Sequence, residues 1–449
     1  MDIVRSILVD LQWGVLTYFL AINTFLLALL AAAAVELGHQ RRLARLDARW
    51  RLLSSAVVPR ISILAPAYNE ELTVSESVRS LLTLQYPDLE IVLVNDGSGD
   101  DTLGVVERDF DLQRLHPIFR RVVQHEQVRG LYRSRTSPGL LVVDKVNGGK
   151  ADALNAGVNV ASGELVCAID ADTIIQDDAL LRMVRPFLFR EGTVAAGGTI
   201  RAANGAEVGH GRVHRAHAPR RLVPGAQAIE YLRAFLTGRL GWNRFGGNLI
   251  ISGAFGLFRR DAVLAAGGYE RDTVGEDMEL VARLRRQAYE LGTPGRVEFV
   301  PDPVAWTEVP ESLRVLGRQR DRWHRGLADV LRRHAGVALR PRYGSLGWVA
   351  YPYFVLVELL GPVVEAIGLV GLAFALATGA VDLQFAALFF LVAYGLGLVM
   401  TMLTITLDEF SFRSYGGGRD TLILLGWAFL EPLGFRQLTV VWRLRGLWR

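Results

Sequence analysis

The chain has 449 residues, 51% hydrophobic and 21% charged, and a mean hydropathy of +0.24; that is too apolar for an ordinary soluble enzyme and too charged for membrane spans alone, so a soluble domain joined to spans is expected. Its net charge of +4 comes mostly from arginines beside apolar segments, which argues for a membrane surface and against a nucleic-acid partner. The lone cysteine, Cys167, excludes an intrachain disulfide and a cysteine metal site.

From Trp13 to Val35 no charge interrupts the chain, long enough for a hydrocarbon core of roughly 30 Å. Arg41, Arg42, Arg45, Arg49 and Arg51 follow this run, the reverse of a signal peptide, and place what comes next in the cytoplasm. Residues 1–37 are thus expected to form a transmembrane helix and 38–58 a basic cytoplasmic linker. Residues 59–310 alternate short β-rich runs with helical patterns, which predicts a parallel α/β sheet. Ile61 to Ala65 reads as a strand ending at Pro66, Thr73-Val74-Ser75-Glu76 as a capping box opening a helix to Leu84, and Leu89 to Val94 as the next strand. Lys150 to Ala161 reads as a helix, Leu165 to Ile169 as a strand, and Asp178 to Phe189 as a helix.

Ala202 to Leu222 is expected to be an irregular insertion; its His210, His214 and His217 match no usual ligand spacing, so it is read as a solvated basic loop near anionic lipid. Residues 311–345 are expected to form interfacial amphipathic helices and 346–449 a C-terminal membrane region. Tyr351 to Ala377 and Phe385 to Leu407 are each long enough to span, whereas Leu422 to Phe435, interrupted by Glu431 and Pro432, fits a broken or re-entrant segment.

Five local patterns carry chemistry: Ala67-Tyr68-Asn69-Glu70, Asn95-Asp96-Gly97-Ser98, Asp170-Ala171-Asp172, Gly275-Glu276-Asp277 and Gln319-Arg320-Asp321-Arg322-Trp323. Singly each is ordinary, since Asp, Asn and Gly are turn formers. Asp170 and Asp172, however, follow a buried-looking strand, where paired carboxylates suit a hard cation that bridges to phosphates. Gly148-Gly149-Lys150 opens a helix whose N-terminus favours anions. The Walker pattern and a strand-linked G-x-G-x-x-G are both missing, which argues against nucleotide triphosphatase and dinucleotide chemistry.

In order and spacing, these patterns resemble the family 2 glycosyltransferases of GT-A fold from about residue 59 to 331, and within them the processive membrane branch of cellulose, hyaluronan, chitin-oligosaccharide and poly-N-acetylglucosamine synthases. The resemblance implies an α/β, Rossmann-like GT-A domain with a mostly parallel sheet, cytoplasmic and flanked by transmembrane and interfacial helices in a bacterial inner membrane. It implies that Tyr68 and Glu70 seat the base, Asp96 binds the uridine, Asp170 contacts the nucleoside, and Asp172 with Asp170 holds Mg²⁺ or Mn²⁺. Asp277 would be the general base with Glu276 beside it, Gln319 and Trp323 would bind the acceptor sugar, Arg322 and Lys150 would meet the diphosphate, and Ser252 and Gly253 would shape the acceptor pocket.

The implied reaction is inverting, processive transfer from a UDP-sugar (UDP-GlcNAc or UDP-glucose) to a growing β-linked oligosaccharide or polysaccharide, coupled to export, with room for an accessory secretion subunit. A carboxylate base suffices for such a displacement. Two positions depart from the family pattern, Asn95 for an aspartate and Gly275 for a threonine. The competing readings are a nonprocessive transferase acting on a polyprenyl phosphate, against which Gln319 to Trp323 argues, and a catalytically dead channel, against which Asp172, Asp277 and Arg322 argue. Glu358 and Glu365, seven residues apart on one helical face, either line a polar path or pair inside a bundle.

Overall fold

The computed structural model describes residues 2–47, 58–116, 119–209, 211–379, 383–413 and 415–449; Arg49, Arg51 and His210 lie outside the described residues. Two units are distinguished, one of Gly38–Ala216 with Asn248–Glu308 and one of Met1–Leu37, His217–Gly247 and Val309–Arg449.

The α/β unit carries, in chain order, β1 (Ile61–Ala67), β2 (Leu89–Asn95), β3 (Leu112–Leu115), β4 (Val128–Ser134), β5 (Leu140–Lys145), β6 (Leu165–Ile169), β7 (Ile174–Ile175), β8 (Thr193–Ala202), β9 (Glu207–Gly209), β10 (Arg212–Arg215), β11 (Phe255–Arg259) and β12 (Arg296–Thr307). Ten of them form one mixed sheet in the order β3-β4-β5-β2-β1-β6-β11-β8-β12-β7. Its centre is parallel: β1 pairs with β2 and β6, and β2 with β5. These strands are mostly apolar and almost wholly buried, as expected where helices cover both faces of such a sheet, with polar Asn95, Asp144 and Lys145 confined to the ends of β2 and β5 and Ser62 and Glu90 paired within the sheet. The helix Lys150–Val160 buries Ala153, Leu154, Ala156 and Val158 in one core with Leu64, Val92, Val94 and Val166.

From β1 the chain builds outward through β2 and β5, then returns to place β6 on the other side of β1. At such a reversal the loops after neighbouring parallel strands diverge and leave a crevice at their carboxyl ends. The antiparallel β11, with Phe255 opposite Ile169, brings the loop before it to the same end of the sheet.

Several local expectations are corrected. Thr73 does not form a capping box: its backbone is in the helical region at φ −118° and ψ −24° rather than the extended region an N-cap adopts, so its hydroxyl makes no cap bond to the helix Val74–Leu82 and donates instead to Glu70 Oε2 at 2.5 Å. β1 continues through Pro66 to Ala67, since pairing with β6 ends at Leu64 and a missing amide hydrogen at 66 breaks no bond there. The helix expected over 178–189 is two short ones, Ala179–Met183 and Arg185–Phe189, with Pro186 in the first turn of the second. The insertion is not irregular throughout, because β9 and β10 pair antiparallel within it.

The second unit is helical. With the start of the long N-terminal helix counted from Asp10, three helices among the described residues are long and apolar enough to cross a membrane: Asp10–Arg42, Leu346–Ala377 and Gln384–Ser411. The last apolar stretch is interrupted where expected: the helix Gly418–Leu430 leads into non-helical Leu433 and Gly434 before Arg436–Trp448 begins. Buried Glu431, just ahead of the break, receives both arms of Arg233 at 2.9 Å each. Glu365 is paired with Arg436 at 2.5 Å, and Glu358 lies 3.5 Å from Arg443 and accepts from Tyr353 at 3.2 Å. Of the two readings open in the sequence, these glutamates therefore follow pairing inside the bundle. His217 pairs with the distant Asp420 at 3.1 Å, a carboxylate invisible from the insertion's own sequence.

Candidate functional site

The loops after β1 and β2 are laced together. Asn69, in the left-handed region at φ 57°, accepts from the Gly99 amide through its side chain, and its own amide donates to the Ser98 hydroxyl. Tyr68 is 54% exposed on this loop. Asp96 is almost fully buried: its carboxylate accepts from Lys145 Nζ at 2.5 Å and from the amides of Gly148 at 3.0 Å and Gly149 at 2.8 Å. The anion bound by the glycine turn ahead of Lys150 is therefore the protein's own Asp96. Gly97 is required here, since at φ +67° a Cβ would lie 2.6 Å from the Asn147 amide nitrogen.

Lys145 is fully buried and also meets Asp152 Oδ1 at 2.6 Å, and Asp152 in turn pairs with Arg271 at 2.9 Å. Asn95 donates to Asp144 at 2.7 Å, which explains the departure at 95: an aspartate there would set two carboxylates against each other. Sequence reasoning missed Lys145, Asp144, Asp152 and Arg271. One signal was available, since Lys145 and Lys150 are the only lysines in a chain that otherwise uses arginine. A compact ammonium fits between two carboxylates in a closed space where a planar guanidinium does not.

At the end of β6, Lys150 Nζ pairs with Asp170, lies 3.6 Å from Glu276 and donates to the Gly253 carbonyl at 3.5 Å. Burial works to lower the Lys150 ammonium, but Asp170 and Glu276 outweigh it and hold its pKa above the ordinary value. Glu276 and Asp277 open the helix Glu276–Leu291 after Gly275, whose amide donates to the Thr273 hydroxyl at 3.3 Å. Asp277 accepts from the Gly253 amide at 2.8 Å and from the Met278 amide at 2.7 Å. Burial and then the Asp277 charge push Glu276 up. Lys150, Ser252, Gly253, Tyr269, Glu276 and Asp277 line one cleft.

Asp172 is exposed at its outer edge, yet burial of the rest and then the Asp170 charge raise its pKa, with Glu70 adding a smaller push. A divalent cation would relieve that repulsion, and the two carboxylates are hard oxygen donors of the kind Mg²⁺ or Mn²⁺ takes. Among the described residues, no group of three or more His, Cys, Asp or Glu could hold a metal. The donor set therefore fits an ion that completes its shell with phosphate oxygens and water.

Gln319, Arg322 and Trp323 lie on the helix Leu313–Arg333 of the other unit. Arg320 stacks 4.5 Å from the Trp323 ring centroid and pairs with Glu230 at 2.5 Å, while Arg322 is exposed and Trp323 is 44% exposed. Gln319 Oε1 is buried without a hydrogen-bond partner among the described residues.

The family model for glycosyl transferase family 2 matches residues 62–265, and that for glycosyl transferase family group 2 matches residues 165–400. The chain is 30% identical over 286 residues to a poly-beta-1,6-N-acetyl-D-glucosamine synthase of Staphylococcus epidermidis, covering 64% of this chain and 59% of that protein. It is 28% identical over 297 residues to the synthase of the same name from Staphylococcus aureus strain COL, covering 66% and 60%. The chain thus spans about three fifths of the length of these relatives. Among solved structures, a mannosyltransferase from Pyrobaculum calidifontis in complex with GDP-Man and Mn²⁺ is similar at a TM-score of 0.53 and 21% identity, covering 92% of this chain and 99% of that one. This likeness concerns the fold, which is GT-A.

Proposed function

This chain belongs to glycosyl transferase family group 2 and is a glycosyltransferase, and from that premise we propose that it transfers sugar, with inversion, from a UDP-sugar to a growing β-linked polysaccharide at the cytoplasmic face of a bacterial membrane. The observation that carries the reading is the convergence of Lys150, Asp170, Glu276, Asp277 and the Gly253 backbone at the carboxyl end of β6. Asp277 takes the proton of the acceptor hydroxyl, the oxygen forms its bond to the anomeric carbon, and the bond from that carbon to the diphosphate breaks with its electrons leaving on the phosphate. Lys150 offsets the charge that develops on the leaving group.

Asp172 and Asp170 would hold Mg²⁺ or Mn²⁺, which supplies charge neutralisation to the diphosphate. Tyr68, Glu70 and Asp96 are assigned to the nucleoside. Gln319 and Trp323 are assigned to the acceptor and Arg322 to the diphosphate on the strength of their motif alone. The names of the Staphylococcus relatives support N-acetylglucosamine as the sugar.

The test is incubation of purified enzyme with a panel of UDP-sugars and Mg²⁺ or Mn²⁺, following UDP release and product mass. A ladder of products from one donor is expected, and single-sugar lipid products alone would replace the proposal with the lipid-linked transferase. Export is part of the proposal and is supported by the three long apolar helices and the break at Leu433–Gly434. In proteoliposomes with the catalytic unit outside, the polymer should resist an added glycanase until detergent is present; complete digestion without detergent would remove export.

A further inference from the structure

The cleft that holds Lys150, Glu276 and Asp277 is also lined by Tyr269, a residue outside every motif of the sequence. Tyr269 is only 3% exposed, and its hydroxyl has no hydrogen-bond partner among the described residues. The residue is held firmly. Its amide donates to Asn155 Oδ1 at 2.7 Å, Asn155 Nδ2 returns a bond to its carbonyl at 2.9 Å, and Phe258 meets its ring edge-on at 6.4 Å. The preceding Gly267 and Gly268 both have positive φ, and a Cβ at 268 would lie 2.4 Å from Asn155 Oδ1, so the backbone approach that seats Tyr269 depends on glycine.

A buried hydroxyl without a partner is costly, and a phenylalanine would fill the same space without that cost. The hydroxyl therefore answers to a group that enters the cleft. Burial, with Cys167, Asp277 and Glu276 adding, pushes the phenol pKa upward, so it remains a donor. The incoming group must accept from this phenol in a cleft where Asp277 is assigned to take a proton and Lys150 is already assigned to the diphosphate. A hydroxyl oxygen does both, accepting through a lone pair and donating its own proton.

Resting on the assignment of Asp277 as base, we propose that Tyr269 is an acceptor-positioning residue, whose hydroxyl donates to the sugar oxygen that Asp277 deprotonates. One lone pair of that oxygen accepts from Tyr269, its proton goes to Asp277, and another lone pair forms the bond to the anomeric carbon as the diphosphate leaves. The phenol keeps its proton throughout.

Tyr269→Phe preserves the ring and tests this in the full-length enzyme, with kcat and donor KM measured for transfer, UDP release measured without acceptor, and the thermal midpoint recorded. The expected result is a fall of about tenfold in kcat for transfer, with donor KM changed less than about twofold, acceptor-free hydrolysis unchanged and no loss of midpoint. Unchanged kcat overturns the proposal. So does a loss confined to donor KM and midpoint, which marks a structural role, or a loss confined to hydrolysis, which assigns the oxygen to water. Asp277→Asn is measured in parallel: normal turnover there removes the base assignment, whereas the Tyr269→Phe loss of kcat still reports whether the phenol meets the acceptor.

Discussion

Replacing Lys145 by methionine isolates the buried network under the glycine turn. The side chain is fully buried, with its ammonium 2.5 Å from Asp96 Oδ1 and 2.6 Å from Asp152 Oδ1. Methionine fills similar space without charge, so two buried carboxylates lose their shared cation. Removing one member of a buried ion pair costs about 3–5 kcal/mol. The lower end applies here, because Asp96 keeps the amides of Gly148 and Gly149 and Asp152 keeps Arg271 at 2.9 Å.

A loss of about 3 kcal/mol is therefore expected, close to a hundredfold in the folding equilibrium of the α/β unit. It should appear as a lower thermal midpoint in detergent and as weaker UDP binding, since Asp96 and the turn before Lys150 lose their common anchor. Lys145→Met/Asp152→Asn should lose less than the sum of its single changes, because the second substitution removes one of the orphaned charges. A midpoint for Lys145→Met no lower than that of an exposed Arg→Met control would refute the reasoning.

Gly253→Ala sets a Cβ 3.1 Å from Lys150 Nζ and 3.2 Å from Asp277 Oδ2, tighter than ordinary contact, so kcat should fall several-fold with little change in midpoint; an unaltered kcat would contradict this. Chelation should stop turnover and added Mg²⁺ or Mn²⁺ restore it, and Asp172→Asn should raise the metal concentration required, because an amide is a weaker oxygen ligand. Full activity in excess chelator would remove the metal. Burial and then Arg443 lower the His324 imidazole to about 4 from its ordinary 6.5. As its folded value lies below the unfolded one, its contribution is complete above about pH 6.5 and drains away as pH falls toward about 4, up to about 3 kcal/mol in all. Thermal midpoints at neutral pH and near pH 5 should differ less in His324→Asn than in the unaltered enzyme, and equal differences would show that His324 is not the titrating group.

What was legible in the sequence was local. β1, β2 and β6 are apolar runs that end in Asn69, Asp96 and Asp170 loops, and strand ends with turn formers point to a crevice before any pairing is known. β8, β11 and β12 were not foreseen. β8 carries Gly197 and Gly198, which weaken any strand pattern, and β12 passes through Pro301 and Pro303, where its pairing with β8 shifts register. The Lys145 pairs join positions 49 residues apart in the case of Asp96, and the Arg436–Glu365 pair joins positions 71 apart. Local pattern does not reach over such separations. Thr73 shows the converse error: its motif was correct as a string, but the residue takes helical rather than extended backbone angles, so its hydroxyl oxygen does not cap the helix amides and its proton goes to Glu70.

The central claim is that Asp277 is the base, and it is tested most directly by Asp277→Asn with UDP binding and sugar transfer measured on the same preparation. Asparagine keeps an oxygen able to accept from the Gly253 amide, now 2.8 Å from the carboxylate, while losing the charge that takes a proton. UDP should bind as before while transfer falls by a factor on the order of a hundred or more. Normal transfer by this variant would contradict the account and move the role to Glu276, its neighbour in the same cleft.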